Sequence, residues 1–229
     1  MATWWRSVRL GRRARRLRSK VAAASDLGAV VDLVLRGGSF KASQKRSEIL
    51  ALLEAVRAIA PRRVLEIGSR KGGNLILFAG AAASDARILS IDLVLPPERR
   101  RLHATFAGAA QIVTCFEGDS HAPATLEIAK RWLAGEQLDF LFIDGDHSLE
   151  GVRADFLNYS PLVRRGGLIA FHDISPDDEA RGLPKTENWA GGVPGFWAEI
   201  RGRYPLAREF IERPGQDGYG IGLIEWPGT

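Results

Sequence analysis

The sequence predicts an α/β protein in which a mostly parallel, doubly wound sheet carries helices on both faces. Three observations predict it. From Pro61 onward, short apolar runs alternate with helix-length amphipathic stretches, the pattern of strands joined by right-handed crossovers. Most of those runs are apolar without polar alternation, as strands buried on both faces must be. The chain then closes on two strand-like runs with no helix between them, an antiparallel pair that finishes the sheet.

The elements follow in order. Residues 25–36 and 42–60 read as helices that precede the sheet, the second placing Ile49, Leu52, Leu53, Val56 and Ile59 on one face. Pro61 ends it, and Val64–Gly68 is the first strand. A helix over Leu75–Ala83 leads to the second strand, Arg87–Asp92, and Pro96–Pro97 opens a helix to about Ala110. Ile112–Phe116 is the third strand, residues 122–134 the next helix, and Leu138–Asp144 the fourth strand. Leu149, Val152, Phe156 and Leu157 give the following helix its buried stripe, and Leu168–Phe171 is the fifth strand. Residues 174–195, rich in Pro, Gly and acids, read as a functional loop or lid. A helix from about Phe196 to Tyr204 precedes the closing pair, Glu209–Glu212 and Tyr219–Glu225, joined by a Pro-Gly turn.

At 229 residues, 45% apolar and 26% charged, the chain is long enough for one large domain and too apolar to be disordered throughout. No uncharged apolar run reaches the ~18 residues needed to span a bilayer. The lone Cys115 suits a reducing compartment, and a cytoplasmic protein is expected. The charge divides the chain. Residues 1–20 hold eight cations and no acid, so removing their +8 from the overall +5 leaves the body at −3. The expected organisation is a basic N-terminal arm over 1–20, helices over 21–60 and the core over 61–229. The arm, with Trp4 and Trp5 ahead of the arginines, suits an anionic membrane surface or another polyanion. A solvated, partly helical segment or a contact in a homo-oligomer suits it equally. It carries no site motif and is expected to be dispensable for cofactor binding.

In open α/β sheets ligands bind beyond the carboxyl ends of the strands. Here the first strand runs into Gly68, Ser69, Arg70, Lys71, Gly72, Gly73 and Asn74, and the second ends in Asp92. The third leads to Gly118, Asp119 and Ser120, the fourth to Asp144, Gly145, Asp146 and His147, and the fifth to His172 and Asp173. The first loop is neither GxGxxG nor a phosphate-binding P-loop. Its glycines would let a ligand approach the backbone, while Asp92 is placed to accept both hydroxyls of a ribose. Asp119 and Ser120, one strand further along, would read an adenine. Glu66, inside the first strand, is expected to face the loop and bond its backbone or a ligand amino group.

VLEIGSRKGGN (Val64–Asn74), ILSIDL (Ile88–Leu93), FEGDS (Phe116–Ser120) and LDFLFIDGDHSLEGVRADF (Leu138–Phe156) resemble the successive motifs of class I S-adenosylmethionine-dependent methyltransferases. With SPLVRRGGLIAFHDI (Ser160–Ile174), the fourth block is similar to a subgroup holding metal-dependent sugar and macrolide O-methyltransferases and cephalosporin-hydroxylase-like proteins. The resemblance covers about residues 42–226 and implies a Rossmann-like, seven-stranded sheet whose last strand is antiparallel. It implies that Glu66, Gly68, Ser69 and Asn74 surround the methionine part of S-adenosyl-L-methionine, that Asp92 binds its ribose, and that Asp119 and Ser120 bind its adenine. Gly73, Leu93, Gly118 and Asp144 complete the implied cofactor set.

The same resemblance implies a divalent cation, Mg²⁺ or Mn²⁺, at Asp144, His172 and Asp173, with His147 as general base. His172 departs from the pattern, because Mg²⁺ prefers oxygen where an imidazole offers nitrogen. Either the ion is softer, or His172 sits beside the site, or no metal binds and His172 joins His147 in acid–base work. The expected reaction is methyl transfer to a hydroxyl of a small molecule, a sugar, glycoside or other natural product. Such a hydroxyl must lose its proton to become a nucleophile, which a cation and an imidazole together promote. Trp189, Phe196 and Trp197 border the long loop and would stack on an acceptor ring or pack in the core. An RNA methyltransferase is the alternative that the arginines encourage, but the fourth strand lacks the Asn/Asp-Pro-Pro-aromatic sequence of amino-directed enzymes. A non-catalytic cofactor-binding protein of this fold would need none of Asp144, His147 and Asp173.

Overall fold

The computed structural model describes residues 2–228. Seven strands form one sheet: β1 (Arg63–Ile67), β2 (Arg87–Asp92), β3 (Ile112–Glu117), β4 (Leu138–Ile143), β5 (Val163–His172), β6 (Arg208–Phe210) and β7 (Ile221–Glu225). Their order is β3-β2-β1-β4-β5-β7-β6. The first five are parallel; β7 runs antiparallel to β5 and to β6. The seven-stranded, mostly parallel sheet expected from sequence is therefore the one observed.

Period-two alternation along each strand sorts side chains onto two cores. Val64, Ile88, Phe140 and Phe142 pack with α2 (Leu27–Leu35), α3 (Arg46–Ala58) and α4 (Gly73–Ala81). Leu65, Ile67, Leu89, Leu141 and Ile143 face the other way, onto α6 (Pro123–Leu133), α7 (Leu149–Tyr159) and α8 (Val193–Ile200). Trp197 and Phe196 are 3% and 2% exposed, so both pack in the core and offer no platform to an acceptor.

Several boundaries differ from the sequence reading. The helix opened by Pro97, α5, stops at His103, and a 3-10 turn over Ala104–Phe106 follows. The buried Phe106 ring against Phe40, 5.2 Å between centroids, bends the chain away from a continuing helix. β5 starts at Val163, where Arg164 reaches Asp139 of β4 at 2.6 Å and extends the pairing. The last helix starts at Val193, with Pro194 in its first turn, rather than at Phe196. Residues of the basic arm form α1 (Ala2–Ala22), which is not fully solvated: Ala14 and Leu17 are buried against the body. Among the described residues no helix is long and apolar enough to cross a membrane.

Candidate active site

Strand order reverses between β1 and β4, and at their carboxyl ends a cavity of about 780 Å³ opens. That volume lies within the range of small-molecule sites. Every site residue expected from sequence lines it except Glu66. The five strand ends therefore converge as the parallel topology requires.

The cofactor side is built largely from backbone. Asp92 Oδ2 accepts hydrogen bonds from the amides of Ser69 (2.9 Å) and Arg70 (2.6 Å) and from Ser69 Oγ (3.2 Å). Its Oδ1 accepts only the Val94 amide, 2.9 Å away. The carboxylate thus shapes the glycine loop, lines the cavity, and keeps acceptor capacity on Oδ1. Two of the glycines also make room for the chain itself. A Cβ on Gly68 (φ +91°) would lie 1.9 Å from the Asp144 carbonyl oxygen, and one on Gly73 2.2 Å from the Ala42 amide nitrogen. Their missing side chains make room for the chain's own backbone. The β1 loop can then touch the end of β4 on one side and the 41–43 segment on the other.

Glu66 makes no hydrogen bond to the loop backbone among the described residues. Its carboxyl lies beneath the loop, fully buried, where Oε2 accepts from Ser90 Oγ at 3.0 Å. Burial pushes it well above the usual carboxylate range, and the neighbouring Asp144 and Asp92 charges add to that, outweighing hydrogen bonds from Ser90 and Asn74. Asn74 is buried beside the loop, and Leu93 is exposed on the cavity rim. Asp119 Oδ1 accepts from the His121 amide (2.9 Å), and the Ser120 carbonyl accepts from Tyr159 Oη (2.9 Å), which ties the β3 loop to α7.

The opposite side is built from charges. His172, 4% exposed, places Nδ1 3.1 Å from Asp144 Oδ1 and 3.1 Å from Asp173 Oδ2. His147 places Nε2 3.4 Å from Asp144 Oδ1 and Nδ1 3.6 Å from Asp173 Oδ2. Asp173 is held with φ +61° and accepts the Tyr219 amide at 2.9 Å. Two imidazoles and two carboxylates therefore interlock. Burial alone would raise Asp144, but the His172 charge and hydrogen bonds from both histidines overcome it and hold the group at about 2. Burial alone would lower His147, but the hydrogen bond and charge of Asp144, with that of Asp173, raise it to about 9. His172 is raised well above its ordinary value; burial opposes, and the charges of Asp144 and Asp173 prevail.

The His147 tautomer is fixed by its neighbours. Nδ1 lies 3.1 Å from the Trp189 carbonyl oxygen, which can only accept, so Nδ1 donates. In the neutral ring Nε2 then carries the lone pair, towards Asp144. The Trp189 indole stacks on the imidazole at 5.6 Å and 25°, and Gly192 donates its amide to the His147 carbonyl at 2.7 Å. The long loop after β5 thus clamps the DGDH turn.

The Methyltransferase domain family matches residues 65–174. Over 193 residues the chain is 28% identical to the catechol O-methyltransferase of Mycobacterium tuberculosis, covering 80% of each. Over 170 residues it is 28% identical to the rhamnosyl O-methyltransferase of Mycobacterium leprae, covering 68% of each. Residues 65–174 are therefore a methyltransferase domain, and the chain is similar to S-adenosylmethionine-dependent O-methyltransferases. It also aligns, at 23% identity over 75% of its length, with only 18% of an uncharacterized Sinorhizobium fredii protein. The methyltransferase fold is shared with the tomaymycin-pathway O-methyltransferase TomG of Streptomyces achromogenes, solved with S-adenosylmethionine. That match has a TM-score of 0.63 and 20% identity over 90% and 91% of the two chains. A mycinamycin-pathway methyltransferase solved with Mg and S-adenosylhomocysteine has a TM-score of 0.52 and 20% identity, over 79% of this chain and 48% of that one.

Asp144, His147 and Asp173 each offer one atom within 4.8 Å of the others. Two carboxylates with an imidazole fit a divalent cation, and the nitrogen suits Mn²⁺ better than Mg²⁺. Two residues of the enzyme's site escaped sequence reasoning. Asp155 of α7 is completely buried below the DGDH turn, raised to about 6 chiefly by burial, and lies 3.4 Å from His121 Nε2 at the cavity wall. The available signal was an acid at helical spacing within an apolar stripe, between Val152 and Phe156.

Proposed function

We propose that this methyltransferase acts on a hydroxyl of a small molecule or sugar, assisted by a divalent cation at Asp144 and Asp173, with His147 Nε2 as general base. The observation that carries the reading is the His147 environment: Nδ1 tied to Trp189, Nε2 turned to Asp144 in the cavity. S-adenosylmethionine supplies an electrophilic methyl whose leaving group departs as a neutral thioether, so the demanding step is deprotonation of the acceptor. A divalent cation supplies positive charge against the acceptor oxygen as its proton leaves.

The protein groups divide the remaining work. With only Asp144 and Asp173 for company, His147 keeps its proton up to about pH 9 and is no base at neutral pH. Positive charge taken up by those two carboxylates lowers that value and frees Nε2 to accept a proton. His172 holds both carboxylates in place. Asp92, with Ser69 and Arg70, would present the ribose contact, and Asp119 with Ser120 the adenine contact, while Glu66 and Asn74 support the loop near the amino acid moiety. Gly68, Gly73, Leu93 and Gly118 complete that wall. Trp189, 61% exposed at the rim, offers an acceptor ring a stacking face. The catechol and rhamnosyl acceptors named for the two mycobacterial relatives support a hydroxyl on a ring.

A metal-free reading has one observation in its favour: His172 Nδ1 already bridges both carboxylates at 3.1 Å, as a cation would. The deciding experiment assays methyl transfer to catechol and rhamnoside acceptors after exhaustive chelation, then after addition of Mg²⁺ or Mn²⁺. Loss and recovery of activity support the cation. Activity untouched by chelation removes it, and His172→Ala then becomes the decisive variant. Full turnover in both histidine variants would sink the proposed chemistry.

A further inference from the structure

The face of α1 that turns away from the body has no role in the site. Leu10, Ala14, Leu17 and Val21 recur at helical spacing and pack on the core, while Arg13 donates to Ser39 Oγ at 2.9 Å. The helix is thereby fixed against the body near α5. Around the rest of its circumference stand Arg9, Arg12, Arg15, Arg16, Arg18 and Lys20, all exposed. Among the described residues none of these six pairs with a carboxylate. α1 also contacts α5, whose Arg100 and Arg101 are exposed and likewise without a carboxylate partner among the described residues. The rest of the chain is net negative, so this positive charge is concentrated on one surface.

We propose that this α1 surface docks the protein on an anionic lipid bilayer. Fixed, unpaired cations on one face match a planar negative surface, and each contributes separately to partitioning. Apolar groups stand where a bilayer interface would accept them. Trp5 is 55% exposed on α1, and Leu93 and Val94, each 69% exposed, lie on the loop leading into α5 at the rim of the cavity. A single-stranded nucleic acid would be met by aromatic rings interleaved with the cations, and Arg9–Lys20 contains none. Docking through α1 and α5 would bring the cavity rim close to the membrane and give it access to acceptors that partition there.

The test uses the full chain and two sets of sedimenting vesicles, pure phosphatidylcholine and phosphatidylcholine with about a third phosphatidylglycerol. Binding to the anionic vesicles alone, weakening steeply as salt is raised, is the expected result. Replacing Arg9, Arg12, Arg15, Arg16 and Arg18 together by Gln should reduce that partitioning by roughly 10²-fold or more, with S-adenosylhomocysteine affinity unchanged. If that variant misfolds, the pair Arg12→Gln and Arg16→Gln, with the wild-type salt titration, carries the test. Equal binding to both vesicle types, or none to the anionic ones at low salt, overturns the proposal. So does displacement from the vesicles by equimolar single-stranded RNA, which would assign the face to nucleic acid.

Discussion

The two walls of the cavity solve opposite problems. On the β1–β2–β3 side, one carboxylate, Asp92, accepts from loop amides and a hydroxyl, and the buried Glu66, its carboxyl pushed upward by burial, lies beneath. On the β4–β5 side, two carboxylates and two imidazoles crowd within hydrogen-bonding range, and three of the four have shifted protonation. The first wall is shaped by the backbone and still holds buried acceptors without a partner, Glu66 Oε1 and Asn74 Oδ1. The second is poised between two charge states, and added positive charge decides between them. On the proposed function, binding is served by shape fixed in the backbone, and chemistry by an electrostatic cluster.

The sharpest break of that contrast is His147→Ala, which touches only the charged wall. Turnover should fall by roughly 10²–10⁴-fold while S-adenosylhomocysteine affinity, read by calorimetry, stays near wild type. A parallel loss of affinity would show that the walls are not separable.

A second prediction concerns stability in protein freed of ligands and divalent ions. His147 is raised in the folded state, so its contribution is fully present below about 6.5 and is lost as pH climbs through about 9. Asp155, raised to about 6, acts in the same direction at lower pH, its contribution present below about 3.8 and lost as pH rises through 6. Asp144 opposes only in strong acid, losing its contribution as pH drops towards 2. Denaturation between pH 6.5 and 9 should show a decline to which His147 contributes on the order of 3 kcal/mol and His172, raised in the same direction, contributes further. His147→Gln should reduce the decline without abolishing it. A stability that rises over this interval would contradict the charged-wall description.

Asp92→Ala tests the other wall. It removes the acceptor of two loop amides and the proposed ribose contact, and S-adenosylhomocysteine affinity should weaken by about 10–100-fold. Wild-type affinity in that variant would make the ribose assignment wrong.

The smallest effect is expected far from both walls. Deleting residues 1–20 uncovers the patch beneath Ala14 and Leu17 and should lower the melting temperature by a few degrees, for roughly 1–3 kcal/mol of lost apolar burial. Cofactor affinity should survive, since among the described residues none of α1 lines the cavity. A truncation blind to S-adenosylhomocysteine would show that the helix supports the glycine loop.

What the sequence determined by itself was the alternation of elements and the chemistry at each strand end. Both are local: apolar runs choose strands, and the residue after a parallel strand must emerge on the ligand side. Asp92, Asp119, Asp144, His147, His172 and Asp173 all emerge there. Tertiary structure alone decided how those groups meet. Sequence could not say that Gly68 and Gly73 yield space to Asp144 and Ala42, because that contact joins residues far apart in the chain. Nor could it show that Glu66 is fully buried and its carboxyl pushed upward, that Asp155 is buried beside His121, or that the Trp189 carbonyl fixes the His147 tautomer. Each depends on burial and on partners from other elements. Protonation is a property of the assembled neighbourhood, and His147, ordinary near 6.5 in an isolated chain, becomes a base held near 9 only when two strands bring their aspartates to it.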